Sequence, residues 1–121
     1  QAFLGVEKVF FTGSTGLIGT MYGIPGFSAT RVSTGLYTFV HDKIKHIDVI
    51  AGLECPTGTY LDVMVPSASK GSPSGTFQIQ TYMRQAAGFG TGVPSIYLQN
   101  QNPATGTVLK LMVYASPITP F

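Results

Sequence analysis

Apolar and polar side chains alternate with a period of two through most of this chain, in runs of five to nine residues punctuated by Gly, Pro, Ser and Asn. A strand points successive side chains to opposite faces, so each run reads as a strand with one buried face. Over residues 46–53, Ile47, Val49, Ala51 and Leu53 are apolar while His46, Asp48 and Gly52 are not. Residues 59–65 repeat this with Leu61, Val63 and Val65 inward, and Pro66 ends the run. Residues 76–83 set Phe77, Ile79 and Met83 against Gln78, Gln80 and Tyr82. A first strand covers residues 7–12 and closes at Gly13. Residues 27–32 and 36–41 flank Ser33, Thr34 and Gly35 at hairpin distance and are expected to pair. Residues 95–99 and 107–115 complete the set, the last being the longest and expected at the centre of a sheet.

Between the runs, residues 67–75 are polar, and residues 85–94 hold too much glycine for a helix and read as a flexible loop. The tail, residues 116–121, carries two prolines and is expected to run extended. No segment of ten or more residues follows a helical period. These patterns predict an all-β fold, an antiparallel, jelly-roll-like β-sandwich of about eight strands in all, its main domain spanning residues 27–121. Residues 1–26, glycine-rich and weakly patterned, are expected to give the first strand and an arm that lies across a neighbour.

Composition sharpens this picture. Gly, Pro, Thr and Ser fill 46 of 121 positions, which favours strands and turns, and the length is that of one domain. Charged residues reach only 10%, against about 25% in an ordinary globular domain, so much of the exterior is neutral. A net charge of +2 with no run of like charges lacks the footprint of a nucleic-acid binder. No apolar stretch approaches the roughly 18 residues that span a bilayer, and the first residues lack a signal peptide's basic start and apolar core, so a soluble protein is expected. The chain begins with Gln1, which points to processing or to a segment of a longer chain. A lone Cys55 makes no internal disulfide and fits assembly in a reducing cytoplasm.

One segment raises the prospect of an enzyme. Thr12, Gly13, Gly16 and Gly19, after the apolar run Val9-Phe10-Phe11, resemble the strand and TGxxGxxG turn of short-chain dehydrogenases/reductases. In that family a helix follows and its N-terminus receives the dinucleotide phosphates. Here Gly23, Pro25 and Gly26 come next, which forbids a useful helix, and the position four after Tyr37 is His41 where the family's Tyr-x-x-x-Lys pair needs Lys. A Gly-rich loop between strands is the ordinary use of such residues, and no cofactor is expected.

His41, Asp42, His46 and Asp48 form the main titratable cluster, but a metal or catalytic site needs three or four convergent groups, and this spacing does not supply them. Cys55 precedes Pro56 with no basic neighbour to activate it. No Gly-x-Ser-x-Gly elbow is present, and Glu7, Asp42, Asp48, Glu54 and Asp62 lie apart, so no catalytic residue is assigned. Most of the fourteen aromatic residues suit core packing. Tyr60, Tyr82, Phe89, Tyr97 and Phe121 are the candidates for contact with a partner.

Residues 31–39 (Arg31-Val32-Ser33-Thr34-Gly35-Leu36-Tyr37-Thr38-Phe39), the strand after His46, the Thr76-Phe77-Gln78-Ile79 strand and the Gly106-led final strand together resemble β-sandwich domains of bacteriophage virion proteins, namely head-decoration proteins and fibres. The resemblance covers residues 28–116. It implies a homotrimer whose exposed apolar surface is covered by neighbouring subunits. A compact chain without repeats or a coiled-coil shaft suits a capsid decoration, or cement, protein, with a fibre receptor-binding domain as the alternative and a reductase as a remote one. The implied partners are its own copies and the major capsid protein, on the capsid surface, after assembly in the host cytoplasm. Loops 66–75 and 85–95 and the tail are the implied contact surfaces.

Overall fold

The computed structural model describes residues 2–12, 15–58, 61–66, 75–87 and 95–115, and side chains over residues 3–12, 15–58, 61–66, 75–83 and 98–115. Its described residues form nine strands and no helix: β1 (Ala2–Thr12), β2 (Leu17–Tyr22), β3 (Phe27–Ser33), β4 (Leu36–His41), β5 (Ile47–Glu54), β6 (Asp62–Met64), β7 (Thr76–Ala87), β8 (Ser95–Asn100) and β9 (Val108–Ala115). All pairings are antiparallel. One sheet has the order β2-β1-β9-β5 and the other β3-β4-β7-β6, with β8 also on β7. The two sheets pack face to face as a β-sandwich.

In the second sheet, Gln80 pairs with both Leu36 and Met64, and Tyr82 with both Asp62 and Asn100. β4 and β8 therefore follow one another along the same edge of β7, with β6 on the other. Gly35 sits where they meet. Thr81 donates its N–H to Gly35 O at 2.8 Å and its hydroxyl to Gln101 O at 2.6 Å, and Gln101 N donates back to Thr81 O at 3.2 Å.

The core lies between the sheets, where inward positions interdigitate. Val9, Phe11, Ile47, Leu109, Leu111 and Val113 come from the first sheet, and Tyr37, Phe39, Phe77 and Ile79 from the second. Phe39 stacks on Phe77 at 5.2 Å, and Phe11 meets Tyr37 across the layers at 5.2 Å. The alternation in β5 is the one the sequence predicts, with Ile47, Val49, Ala51 and Leu53 facing inward, and β9 buries Leu109, Leu111 and Val113.

Several boundaries differ. β9 lies between β1 and β5 as expected, yet β1 and β7, at 11 and 12 residues, exceed its 8. β7 continues through residues 84–87, where glycine further on predicts a loop. β6 is only three residues, with Leu61, Val65 and Pro66 outside the strand; residues 59 and 60 of the expected run lie outside the described residues. In β7, Gln80, Thr81 and Tyr82 are all buried, at the stretch where β6 flanks one edge of the strand and β4 and β8 meet on the other. The first 26 residues, expected to reach across a neighbour, place β1 between β2 and β9 of their own chain, with Val9 and Phe11 in the core.

Candidate binding face

The dehydrogenase-like segment forms a hairpin. Gly19 lies within β2, a strand antiparallel to β1, and Gly16 at φ 71° turns the chain. Gly16 O accepts the Tyr37 hydroxyl at 2.5 Å. The residues that match the phosphate-binding turn thus lead into a sheet and present no helix N-terminus.

The histidine and carboxylate cluster is pulled apart by the fold. His41 is buried beside Phe27, whose ring meets it edge-on at 4.8 Å. Its Nδ1 accepts N–H groups from Lys43 and Ile44 at 3.1 and 2.9 Å, so Nε2 carries the proton it donates to Pro25 O at 3.0 Å. Both ring nitrogens are consumed in holding the chain around residues 25 and 42–44. Asp42 points outward beside it, with Oδ1 3.4 Å from Nδ1. Among the described residues, no three His, Cys, Asp or Glu side chains converge on one point. Cys55 is half-buried, with Sγ 3.9 Å from Leu61 O.

Glu7 is the one buried acid, only 2% exposed, in a cleft of about 330 Å³ shared with Met21, Gly23, Ile24 and Pro25. Burial raises its carboxyl above the ordinary value of 4.5, opposed by the Ile24 N–H it accepts at 2.6 Å and by His41. This carboxyl fastens the turn between β2 and β3. With His41 fully engaged, the described residues put no second free acid or base beside it.

Of the five aromatic candidates for partner contact, Tyr60, Phe89 and Phe121 lie outside the described residues, and of Tyr97 only the backbone is described, opposite Gln85 on β8. Tyr82 is 9% exposed, covered where β6 and β8 flank β7. These residues do not come together as one described surface.

The two outer faces of the sandwich differ in how their apolar side chains are grouped. Across the outside of the second sheet run Thr30, Thr38 and Gln78 in one row, with Gln78 donating to Thr38 Oγ1 at 3.2 Å, and Ser28, Val40 and Thr76 in the next. That face mixes neutral hydrogen-bonding groups with exposed apolar side chains, Val40 in the second row and Met64 opposite Gln80. Outside the first sheet, the register sets Ile50, Met112 and Val6 side by side on β5, β9 and β1. Phe3 packs on Tyr114 at 5.3 Å on one side of this row, and Phe10 stacks on Tyr22 at 5.4 Å on the other. Leu17 adds a corner next to Thr12. Phe3, Val6, Leu17, Tyr22, Ile50 and Met112 are each 37–58% exposed. Taking roughly 200 Å² for a large side chain, these six leave on the order of 500 Å² of apolar surface open, at the top of the range for a monomer's largest patch.

Charges on this face are few and arranged. Lys8 lies directly across from Lys110, a like-charged cross-strand pair that is unfavourable by itself. Glu54 on β5 forms an ion pair with Lys110, which holds its carboxyl below the ordinary range, with Lys8 adding to the effect. Gly52, between Ile50 and Glu54, leaves a shallow pit of about 350 Å³ lined by Val6, Ile50, Ala51, Gly52, Lys110 and Met112.

Sequence reasoning missed this face although its signal is present. Ile50, Met112, Tyr114, Val6 and Phe10 are apolar residues at the alternate positions, where a strand facing water needs polar ones. No family model, curated protein or solved structure matches this chain.

Proposed function

We propose that this protein is a structural subunit of a bacteriophage virion, a decoration protein that binds the outside of the capsid as an oligomer and stabilises the shell. The observation that carries this reading is the outer face of the first sheet, where exposed apolar side chains form a contiguous row across three strands, while the opposite face interleaves Ser, Thr and Gln with Val40 and Met64. A face of that kind stands to be covered in the working state, and the sequence resemblance to virion β-sandwiches names the setting. The action is one of binding: a protein that engages only the assembled shell stabilises it by its differential affinity, and copies around a symmetry axis multiply the effect. The major capsid protein is the partner, and no reaction is part of the role.

Capsids of the source phage, assembled without this protein, provide the test. Purified protein is expected to bind them saturably at symmetry-related positions visible by electron microscopy, and to raise the temperature at which the shell breaks. Absence of saturable binding, or binding to host cells in place of capsids, overturns the reading; the latter favours a receptor-binding fibre domain.

A further inference from the structure

We propose that the cleft beside the β2–β3 turn, lined by Glu7, is a binding site for a primary ammonium group on an apolar stem, the chemistry that a lysine side chain shares with a small alkylamine. The site lies apart from the apolar outer face and does not depend on the virion reading.

Its polar centre is a single atom. Glu7 follows the phase of Val9 and Phe11, so its side chain points between the sheets, where it is 2% exposed. One carboxyl oxygen, Oε1, accepts the Ile24 N–H at 2.6 Å. Among the described residues no other group donates to this carboxyl, so Oε2 has no partner, yet it is not sealed in the interior, because Glu7 lines the cleft. A buried acid left half-matched is costly, and burial accordingly lifts this carboxyl above its ordinary value. The one ionisable group that acts on it is His41, whose Nε2 proton is already given to Pro25 O. Lys8, the next residue along β1, points to the opposite face of the sheet. Costs of this kind concentrate where a protein binds something.

The surroundings define the ligand. Met21, Tyr22, Ile24, Pro25 and Phe27 give apolar and aromatic walls to a space of about 330 Å³, the small end for a ligand pocket, with room for one side chain or a small molecule. A methylene stem suits such walls, and a cation gains further from the aromatic ones. Asp42 adds negative charge from outside: a Cβ added at Gly26, which also lines the cleft, would collide with its Oδ1. With Oε1 taken by Ile24, a guanidinium fork finds one free oxygen where it needs two, whereas an ammonium is a point charge that one oxygen satisfies. A divalent metal is a poorer match, since it takes about six oxygen ligands and the described residues bring no three metal-binding side chains together. An ammonium at Oε2 completes the carboxyl, one oxygen on the backbone and the other on the ligand.

The test is a nuclear magnetic resonance titration of the full chain at about pH 7, with the Ile24 amide as reporter because it shares the Glu7 carboxyl with the ligand. n-Butylamine is expected to shift this amide saturably, with half-saturation below about 10 mM, and n-butanol and n-butylguanidine to bind at least about tenfold more weakly. Glu7→Gln keeps an acceptor for Ile24 and is expected to weaken the amine about tenfold or more, whereas Asp42→Asn, at an exposed side chain, changes it less than about threefold. Nα-Acetyl-lysine amide separates the two sources of the group: binding as tight as the amine's assigns the site to lysine side chains, and binding of the free amine alone assigns it to small amines. Shifts that do not saturate, butanol or butylguanidine bound as tightly as the amine, or an affinity that survives Glu7→Gln overturns the proposal. The comparison of amine, alcohol and guanidine uses the unaltered chain and stands whatever the variants do to folding.

Discussion

Two buried polar side chains show how single positions hold this sandwich together. The Tyr37 hydroxyl is sealed in the core and donates to Gly16 O, and burial pushes its ionisation up to about 12 despite Arg31 nearby. Tyr37→Phe leaves that carbonyl without its donor and is expected to cost about 1–3 kcal/mol in urea unfolding. An unfolded tyrosine ionises near 10, so between pH 10 and about 12 the unfolded chain releases a proton that the native one keeps, and stability should fall across that window. Glu7 follows the same logic in the acid range. Its folded-state value is raised, so the native chain holds a proton the unfolded chain has lost, and stability declines as pH rises from 4.5 through the folded value. Glu7→Gln keeps an acceptor for Ile24 N and removes the charge. It should raise the melting temperature more at pH 7 than at pH 4; an equal change at both would show that the buried charge is not what matters. Glu7 was legible in advance only by parity, since it shares the phase of Val9 and Phe11, two and four residues on.

At the scale of elements, period-two patterning exposed the inward faces of β5, β6 and the first half of β7, because burial between two sheets leaves one phase apolar. It failed at β2, where Gly19 and the glycines at positions 16 and 23 dilute the pattern and where pairing with β1, which begins at Ala2, imposes the strand. It also failed at the outer face, because a reader of alternation assigns every second position to water and passes over Ile50 and Met112. The β3–β4 hairpin was legible because Gly35 ends its turn, but the further demand on Gly35 arises only from tertiary structure. Its φ is +70°, and a Cβ there would lie 2.5 Å from Thr81 O and 2.6 Å from Gln101 O. Gly35→Ala therefore strains the left-handed backbone by about 1–2 kcal/mol and also pries β8 from β7. Hydrogen exchange at Thr81 and Gln101 should accelerate well before the core strands respond; protection unchanged at both amides would mean that the two strand ends are not joined through this glycine.

For the whole molecule, the decisive quantity is the imbalance between its two outer faces, and it determines what kind of force should drive assembly. If Ile50, Met112, Val6 and the two aromatic pairs supply most of the attraction, association follows the rules of apolar burial. Sulfate, excluded from protein surface, should then tighten it, and cooling should loosen it. Each copy brings Lys8, Lys110 and Glu54 to the same face, where the ion pair already satisfies Lys110 and screening reaches the exposed ends. Raising sodium chloride from about 0.1 to about 1 M shortens the Debye length from roughly 10 to 3 Å, so any contribution of these charges fades while the apolar one stays. The expected outcome is a dissociation constant that changes by less than about tenfold across that range and falls in ammonium sulfate, read by sedimentation equilibrium. A steep loss of association in sodium chloride would move the driving force from the apolar row to the charges beside it, and the neutral composition of this exterior would then need a different explanation.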